Sequence, residues 1–308
     1  MRMGHISVLL KEVVEVIGPE SFGRYFDGTL GDGGHARSVL ERSGPHGELC
    51  GTDLDCDAVD RLRTGFSGFS GRVHLFNKNF CDIDRVCLML NWDHLDGIVL
   101  DLGLSSTALD DPERGFAFSK DGPLDMRFSS DSGLDASMVV NHYEEKQIRD
   151  IIMKYGQERF ASRIARNICA SRPIKTTSGL ASVVSGAIPR RFWPERIHPA
   201  TKTFQALRME VNDEVKNLEA FLPRAASLLS VNAVMAIISY HSIEDRIVKR
   251  FFASPFKAYQ FPKGFPPPED NRPKMEVITK RPIRPGAAEI EANPRSRSAL
   301  LRAARRVA

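Results

Sequence analysis

A glycine turn ringed by carboxylates is the part of this sequence best suited to chemistry. In "DGTLGDGGHA" (27–36), Gly28, Gly31, Gly33 and Gly34 alternate with the acids Asp27 and Asp32. Further acids follow at intervals: Asp53, Asp55 and Asp57, then Asp82, then Asp101. Missing side chains at a strand-to-helix turn let a ligand approach the backbone. Carboxylates around that turn attract a cation.

Three ligands compete for such a loop. Gly28 and Gly33 have the spacing of a phosphate-binding G-x-x-x-x-G-K-S/T loop, but Gly34-His35 stands where Lys-Ser/Thr is needed, so that reading is rejected. The dinucleotide pattern G-x-G-x-x-G/A fits Gly31, Gly33 and Ala36, with Asp53 about twenty residues further on, where an acid binds ribose hydroxyls. Charge favours a third ligand. A pyrophosphate seeks helix amides free of nearby carboxylates, whereas S-adenosylmethionine carries a sulfonium and an ammonium and no phosphate, so an acidic rim attracts it. An NAD-dependent oxidoreductase stays as the rival reading.

These acids act together only if the fold brings them to one edge. Strands are expected at 24–27, 48–53, 73–78 and 97–103, each closing in polar or glycine residues, with helices between them at 35–43, 56–65 and 82–91. That alternation predicts an α/β fold with a doubly wound parallel sheet, whose ligands bind beyond the carboxyl ends of the strands. The rhythm breaks from about 105 to 212. There Ile148, Ile151, Ile152, Tyr155, Phe160, Ile164 and Ile168 recur at helical spacing, in two helices broken near Gly156, and a further helix over 176–188 takes Thr177 or Ser178 as cap. Alternation resumes with a helix (212–230), a strand (233–240), a helix (242–252), a proline-rich loop (255–273) and strands at 275–279 and 298–304. The expected organisation is a discontinuous core, 1–105 with 213–308, interrupted by a mostly helical substrate-recognition domain, 106–212.

Composition narrows the class. A chain of 308 residues, 42% hydrophobic and 27% charged, reads as a soluble globular protein. No apolar run approaches membrane-spanning length, and Lys11, Glu12 and Glu15 interrupt the first apolar stretch, against a signal peptide. Five cysteines without a C-x-x-C pair point to free thiols in a reducing cytosol, so the expected location is cytoplasmic. No metal-ligand cluster is legible. The net charge of +4 hides a division: 159–202 carries +8, 273–308 carries +6 and the remainder −10. Two basic zones beside an acidic remainder predict a polyanionic partner such as nucleic acid.

With these residues in hand, the chain resembles the bacterial 16S rRNA (cytosine-N4)-methyltransferases, the RsmH/MraW family. The likeness runs nearly end to end, through "GHISVLLKEVV" (4–14), "DGTLGDGGHA" (27–36), "DLGLSS" (101–106), "RGFAFSKDGPLDMR" (114–127), "HPATKTFQALRMEVNDE" (198–214), "SYHSIEDRIVKRF" (239–251) and "NPRSRSALLRAAR" (293–305). The resemblance implies a class I S-adenosylmethionine-dependent methyltransferase core, Rossmann-like, with an inserted helical domain. It gives Gly33, Gly34 and His35 to the methionine part of the cofactor, Asp53 to the ribose and Phe80 to the adenine, and puts Asp101 beside the reacting centre. Ala108 stands where the family usually has Gln, so a cofactor contact there is lost. The implied substrate is a cytosine in the decoding region of 16S rRNA, within the small ribosomal subunit. A homodimer is one of the oligomeric states left open.

Cytosine N4 is a weak nucleophile, because its lone pair is delocalised into the ring. A group accepting its N–H raises electron density and takes the departing proton; Asp101 is the candidate acceptor. His241 either faces the same pocket or satisfies backbone groups, while Ser242, Glu244 and Asp245 read as the cap and acidic first turn of a helix. Enzymes that methylate exocyclic amines of DNA often carry D/N/S-P-P-Y/F/W at this strand end; "DLGL" argues against a DNA substrate. Phe116 and Phe118 are candidates to stack on the target base, against the alternative of anchoring a loop. The arginines of 188–202 and 293–306 are candidates for RNA phosphates. A non-catalytic RNA-binding assembly factor is the remaining alternative.

Overall fold

The computed structural model describes residues 7–129, 133–195, 197–253 and 275–307. The first residues of the 4–14 motif and the whole proline-rich loop, 255–273, lie outside them. The chain divides into two compact units, 1–103 with 216–308, and 104–215. In chain order the elements of the first half are α1 (Leu10–Ile17), β1 (Arg24–Asp27), α2 (Gly34–Arg42), β2 (Glu48–Asp53), α3 (Cys56–Gly65), β3 (Val73–Asn77), α4 (Ile83–Met89) and β4 (Leu95–Asp101). Then come α5 (Ser106–Asp110), α6 (Ala136–His142), α7 (Glu145–Gly156), α8 (Ala161–Ala170), α9 (Thr177–Ala187) and α10 (Thr201–Val211). The chain closes with α11 (Glu214–Leu228), β5 (Leu229–Ser239), α12 (Ser242–Ala253), β6 (Met275–Val277), α13 (Ala287–Ala292) and β7 (Leu300–Arg306).

The first unit is built on a seven-stranded sheet in the order β3-β2-β1-β4-β5-β7-β6. Strands β1 to β5 run parallel; β7 pairs antiparallel with β5 and with β6. Successive side chains of a strand point to opposite faces, and both faces are apolar, as helix-covered parallel sheets require. Phe26, Cys50, Ile98, Leu100 and Ile237 join Phe221 and Leu222 of α11 in one core. Their neighbours Tyr25, Leu49, Val99 and Ile238 join Val39 and Leu40 of α2 in the other. Strand β4 begins and ends two residues earlier than its pattern suggested, β5 starts four earlier, directly after α11, and β7 is shifted two residues later. Helices α1 and α13 carried no sequence expectation.

Within 104–215 the expected apolar stripe is buried: Ile148, Ile151, Ile152, Tyr155, Ile164 and Ile168 are each at most 7% exposed. Phe160 is the exception; its ring lies against Phe192, with centroids 5.3 Å apart. The break between α7 and α8 falls at Gln157, which takes the left-handed conformation at φ 48°. The cap of α9 is Thr176, whose Oγ1 accepts Gly179 N–H at 3.2 Å, and not Thr177 or Ser178. Thr177 instead accepts Gly122 N–H at 3.1 Å and so ties the "DGPLDMR" loop down. Asn212 holds the other side of that loop, donating to Met126 O at 2.7 Å and accepting from Phe128 N–H at 2.7 Å.

No helix among the described residues is long and apolar enough to cross a membrane. All five cysteines are free. The basic C-terminal zone is partly internal. Arg302 is 7% exposed on β7 and makes a two-pronged ion pair with Asp245, at 2.6 and 3.1 Å, and Arg306 donates to the carbonyls of Ser227 and Leu229. Both arginines hold the sheet, and the burial of Arg302 corrects the expectation that it grips an RNA phosphate.

Candidate active site

Strands β2, β1 and β4 are neighbours, so their terminal acids Asp53, Asp27 and Asp101 come out side by side at one sheet edge. The glycine turn lies between β1 and α2. Gly33 sits at φ +79°, where other residues are strained. A Cβ on Gly34 would lie 1.9 Å from Ser7 Oγ, so Ser7 packs directly on the turn. Gly31 N–H donates to Asp53 Oδ2 at 2.8 Å, and Asp55 N–H to Asp53 Oδ1 at 2.9 Å. Asp53 therefore shapes the loop with part of its carboxylate, and burial raises its pKa. Of the other acids, Asp55 caps α3 and Asp82 pairs with Arg85 at 3.4 Å.

Asp27 is buried, at 1% exposure. Its Oδ1 accepts Thr29 N–H at 3.1 Å, while Oδ2 has no hydrogen-bond partner among the described residues. Burial pushes this carboxyl up to about 6, against the pull of His35. The imidazole of His35 is itself buried, which lowers its pKa. Its Nε2 lies 3.0 Å from Val8 O; a carbonyl only accepts, so Nε2 carries a hydrogen and donates. Nδ1 then faces Asp101 Oδ2 at 4.0 Å.

Asp101 is held from two directions. Its backbone N–H donates to Thr29 Oγ1 at 2.6 Å, and its Oδ1 accepts the Tyr240 hydroxyl at 2.9 Å. Its side chain keeps 21% of its surface open. Burial raises its pKa to about 7; the Tyr240 hydrogen bond opposes that shift and the charge of Glu244 adds to it. The Tyr240 hydroxyl is driven well above its usual range, first by burial and then by the charge of Asp101, so it stays a donor.

His241 lies next to Tyr240 but turns elsewhere. Its Nδ1 accepts Glu244 N–H at 3.4 Å, its carbonyl accepts Asp245 N–H at 3.1 Å, and its Nε2 lies 3.2 Å from Glu244 Oε1. Glu244 Oε2 in turn accepts Tyr240 N–H at 3.0 Å. His241 thus takes the cap position expected of Ser242, and Ser242 begins the helix. Phe80, in the 3-10 turn that follows β3, packs edge-on against Phe221 at 5.3 Å between centroids. Ala108 is buried in α5, and its N–H donates to Ser105 Oγ at 3.1 Å. Phe116 is buried against Phe128, so it has no face open to a base; Phe118 packs on His198 and Phe204, at 4.6 and 4.8 Å. Sequence reasoning missed Tyr240, Thr29 and the unpartnered Asp27 oxygen. No local signal marks Tyr240: it directly follows β5, and only the parallel register, in which Ile238 pairs with Asp101, brings its hydroxyl to that carboxylate.

The MraW methylase family model matches residues 2–307. The chain belongs to this family. It is 46% identical over 307 residues to the ribosomal RNA small subunit methyltransferase H of Geobacter sp. (strain M21), covering 98% of both chains. To the protein of that name from Dehalococcoides mccartyi (strain ATCC BAA-2100 / JCM 16839 / KCTC 5957 / BAV1) it is 44% identical over 304 residues, covering 98% of this chain and 86% of the other. To that of Nitratidesulfovibrio vulgaris (strain DSM 19637 / Miyazaki F) it is 43% identical over 310 residues, covering 99% and 86%. Membership decides the glycine turn against a dinucleotide: the family is one of S-adenosylmethionine-dependent methyltransferases, and the NAD-dependent reading falls.

The residues present fit that cofactor. Three strand-end carboxylates whose pKa values are all raised, one with an orphaned buried oxygen, form a site that a cation relieves.

Proposed function

We propose that this chain transfers a methyl group from S-adenosylmethionine to the exocyclic N4 amine of a cytosine in the decoding region of 16S rRNA, within the small ribosomal subunit in the cytoplasm. Bound S-adenosylmethionine supplies an electrophilic methyl carbon. Gly33, Gly34 and His35 border the methionine part, Asp53 the ribose and Phe80 the adenine. Asp101 accepts an N4 hydrogen of the cytosine, which raises electron density on the nitrogen and gives the departing proton a destination.

One observation carries this assignment. Asp101 is a partly open carboxyl whose pKa of about 7 lies near working pH, the value at which proton acceptance is effective. Tyr240 and Thr29 fix its orientation, as a near-attack geometry requires. His241 supports the site indirectly, holding the helix start on which Glu244 and the Tyr240 backbone meet.

The test is transfer of labelled methyl groups to small subunits that lack this modification. Label on N4 of one cytosine supports the assignment. RNA binding without transfer by the unaltered protein would favour the assembly-factor alternative.

A further inference from the structure

The basic segment within 104–215 holds its arginines against aromatic rings. After α9 the chain makes a short 3-10 turn, Arg190–Phe192, closed by Phe192 N–H on Pro189 O at 2.8 Å and Trp193 N–H on Arg190 O at 3.0 Å. Phe192 and Trp193 stay 37% and 38% exposed. Two guanidinium groups flank Phe192: Arg159 lies 4.1 Å and Arg191 4.8 Å from its centroid. Arg159 also covers Phe160, at 4.8 Å, and Arg190 lies 5.8 Å from the Trp193 ring. The indole is fixed, since Nε1 donates to Ile188 O at 2.9 Å. Arg163 and Arg166 are exposed on α8. Among the described residues, none of these five arginines forms an ion pair with a carboxylate.

Several unneutralised cations repel one another unless an anion joins them. The indole fixed by its hydrogen bond, and the guanidinium planes that lie over Phe192, offer flat surfaces for stacking at little further entropic cost. A nucleic-acid duplex would answer only the charge, because its bases are stacked away. An acidic peptide would leave the ring faces unused. An unpaired RNA strand answers both, placing phosphates on arginines and bases on rings. We propose that Phe192 and Trp193, with Arg159, Arg190 and Arg191, form a stacking platform for an unpaired segment of ribosomal RNA. This rests on the rRNA methyltransferase reading and adds to it a place where the substrate is held.

Trp92 is 6% exposed, so quenching of tryptophan emission by RNA reports on Trp193. The full chain is titrated at fixed salt with a single-stranded oligouridylate, a duplex of equal length and polyglutamate. The platform predicts that the single strand binds most tightly and quenches emission, and that Trp193→Phe abolishes the quenching. Phe192→Leu should weaken single-strand binding about tenfold, while Phe192→Tyr retains it. Arg159→Gln with Arg191→Gln should lower the salt slope by roughly two phosphate contacts. Equal binding of duplex and single strand without quenching, or tighter binding of polyglutamate, overturns the proposal. Methyl transfer by the unaltered protein, combined with wild-type RNA binding by Phe192→Leu, sinks the platform alone. A Phe192→Leu defect in a protein that transfers no methyl groups supports the platform and sinks the enzymatic reading instead.

Discussion

The Tyr240 hydroxyl donates to Asp101 Oδ1 at 2.9 Å, linking the residue after β5 to the last residue of β4. Two neighbouring parallel strands thereby deliver an acceptor and the donor that orients it to one sheet edge. The bond also tunes the acceptor. Burial raises the Asp101 carboxyl to about 7, and the hydroxyl restrains that rise.

Tyr240→Phe removes the restraint and leaves the ring. The Asp101 carboxyl then titrates higher, by about one unit for a hydrogen bond to a charged group. Because the ionised form accepts the proton, the acidic limb of the kcat profile should move to higher pH, with kcat below wild type at pH 7 and partly recovered at pH 9. Single-turnover methyl transfer across that range checks this; an unmoved limb counts against the coupling.

Asp27 gives an opposite lesson about stability. Its folded pKa of about 6 lies above the ordinary 3.8. The folded chain therefore holds this proton more tightly than the unfolded one. The stabilisation is full below about pH 4 and is lost as pH rises through about 6. Asp27→Asn, free of that titration, should be more stable than wild type at pH 8 by roughly 2–3 kcal/mol and should converge on it near pH 4. Urea melts of the cofactor-free protein at both pH values measure the difference.

Gly34→Ala tests the packed turn. The added methyl would lie 1.9 Å from Ser7 Oγ and 3.0 Å from its Cβ, so Ser7 or the turn must shift. Affinity for S-adenosylmethionine should fall about tenfold or more, as displaced cofactor contacts cost upwards of ~1.4 kcal/mol. Adding Ser7→Gly removes both clashing atoms and should restore much of it, as calorimetric titration of the four variants would show.

Arg302→Met should cost about 3 kcal/mol of folding stability, because it strands Asp245 without its partner. Combining it with Asp245→Asn should recover a large part, and denaturant melts read both.

The strand ends were legible in the sequence because short apolar runs closing in acids obey local rules: β1 and β2 fall where their patterns lie, and with them Asp27 and Asp53. Strand β7 was displaced by two residues, since "SALLRAA" begins inside a short 3-10 turn and its arginines extend the strand. That shift also hid the role of Arg302, whose pairing with Asp245 on α12 no local pattern announces. The cap of α12 was misassigned to Ser242 for a similar reason, since it is His241 that satisfies a backbone group there. Its ring takes up the cap of α12, a duty usually given to Ser, Thr, Asp or Asn. Tyr240 was invisible as a functional group because its partner lies 139 residues away in sequence, brought near only by the β4–β5 register.

The central claim is that Asp101 accepts the proton of the methylated amine. Asp101→Asn, nearly isosteric and unable to act as a base, tests it most directly when cofactor affinity and single-turnover methyl transfer to unmodified small subunits are measured on the same preparation. The account predicts that S-adenosylmethionine still binds and that transfer to cytosine N4 falls by about a hundredfold or more, the contribution of a positioned general base. Transfer at the wild-type rate, with the same acidic limb in its pH profile, would contradict it.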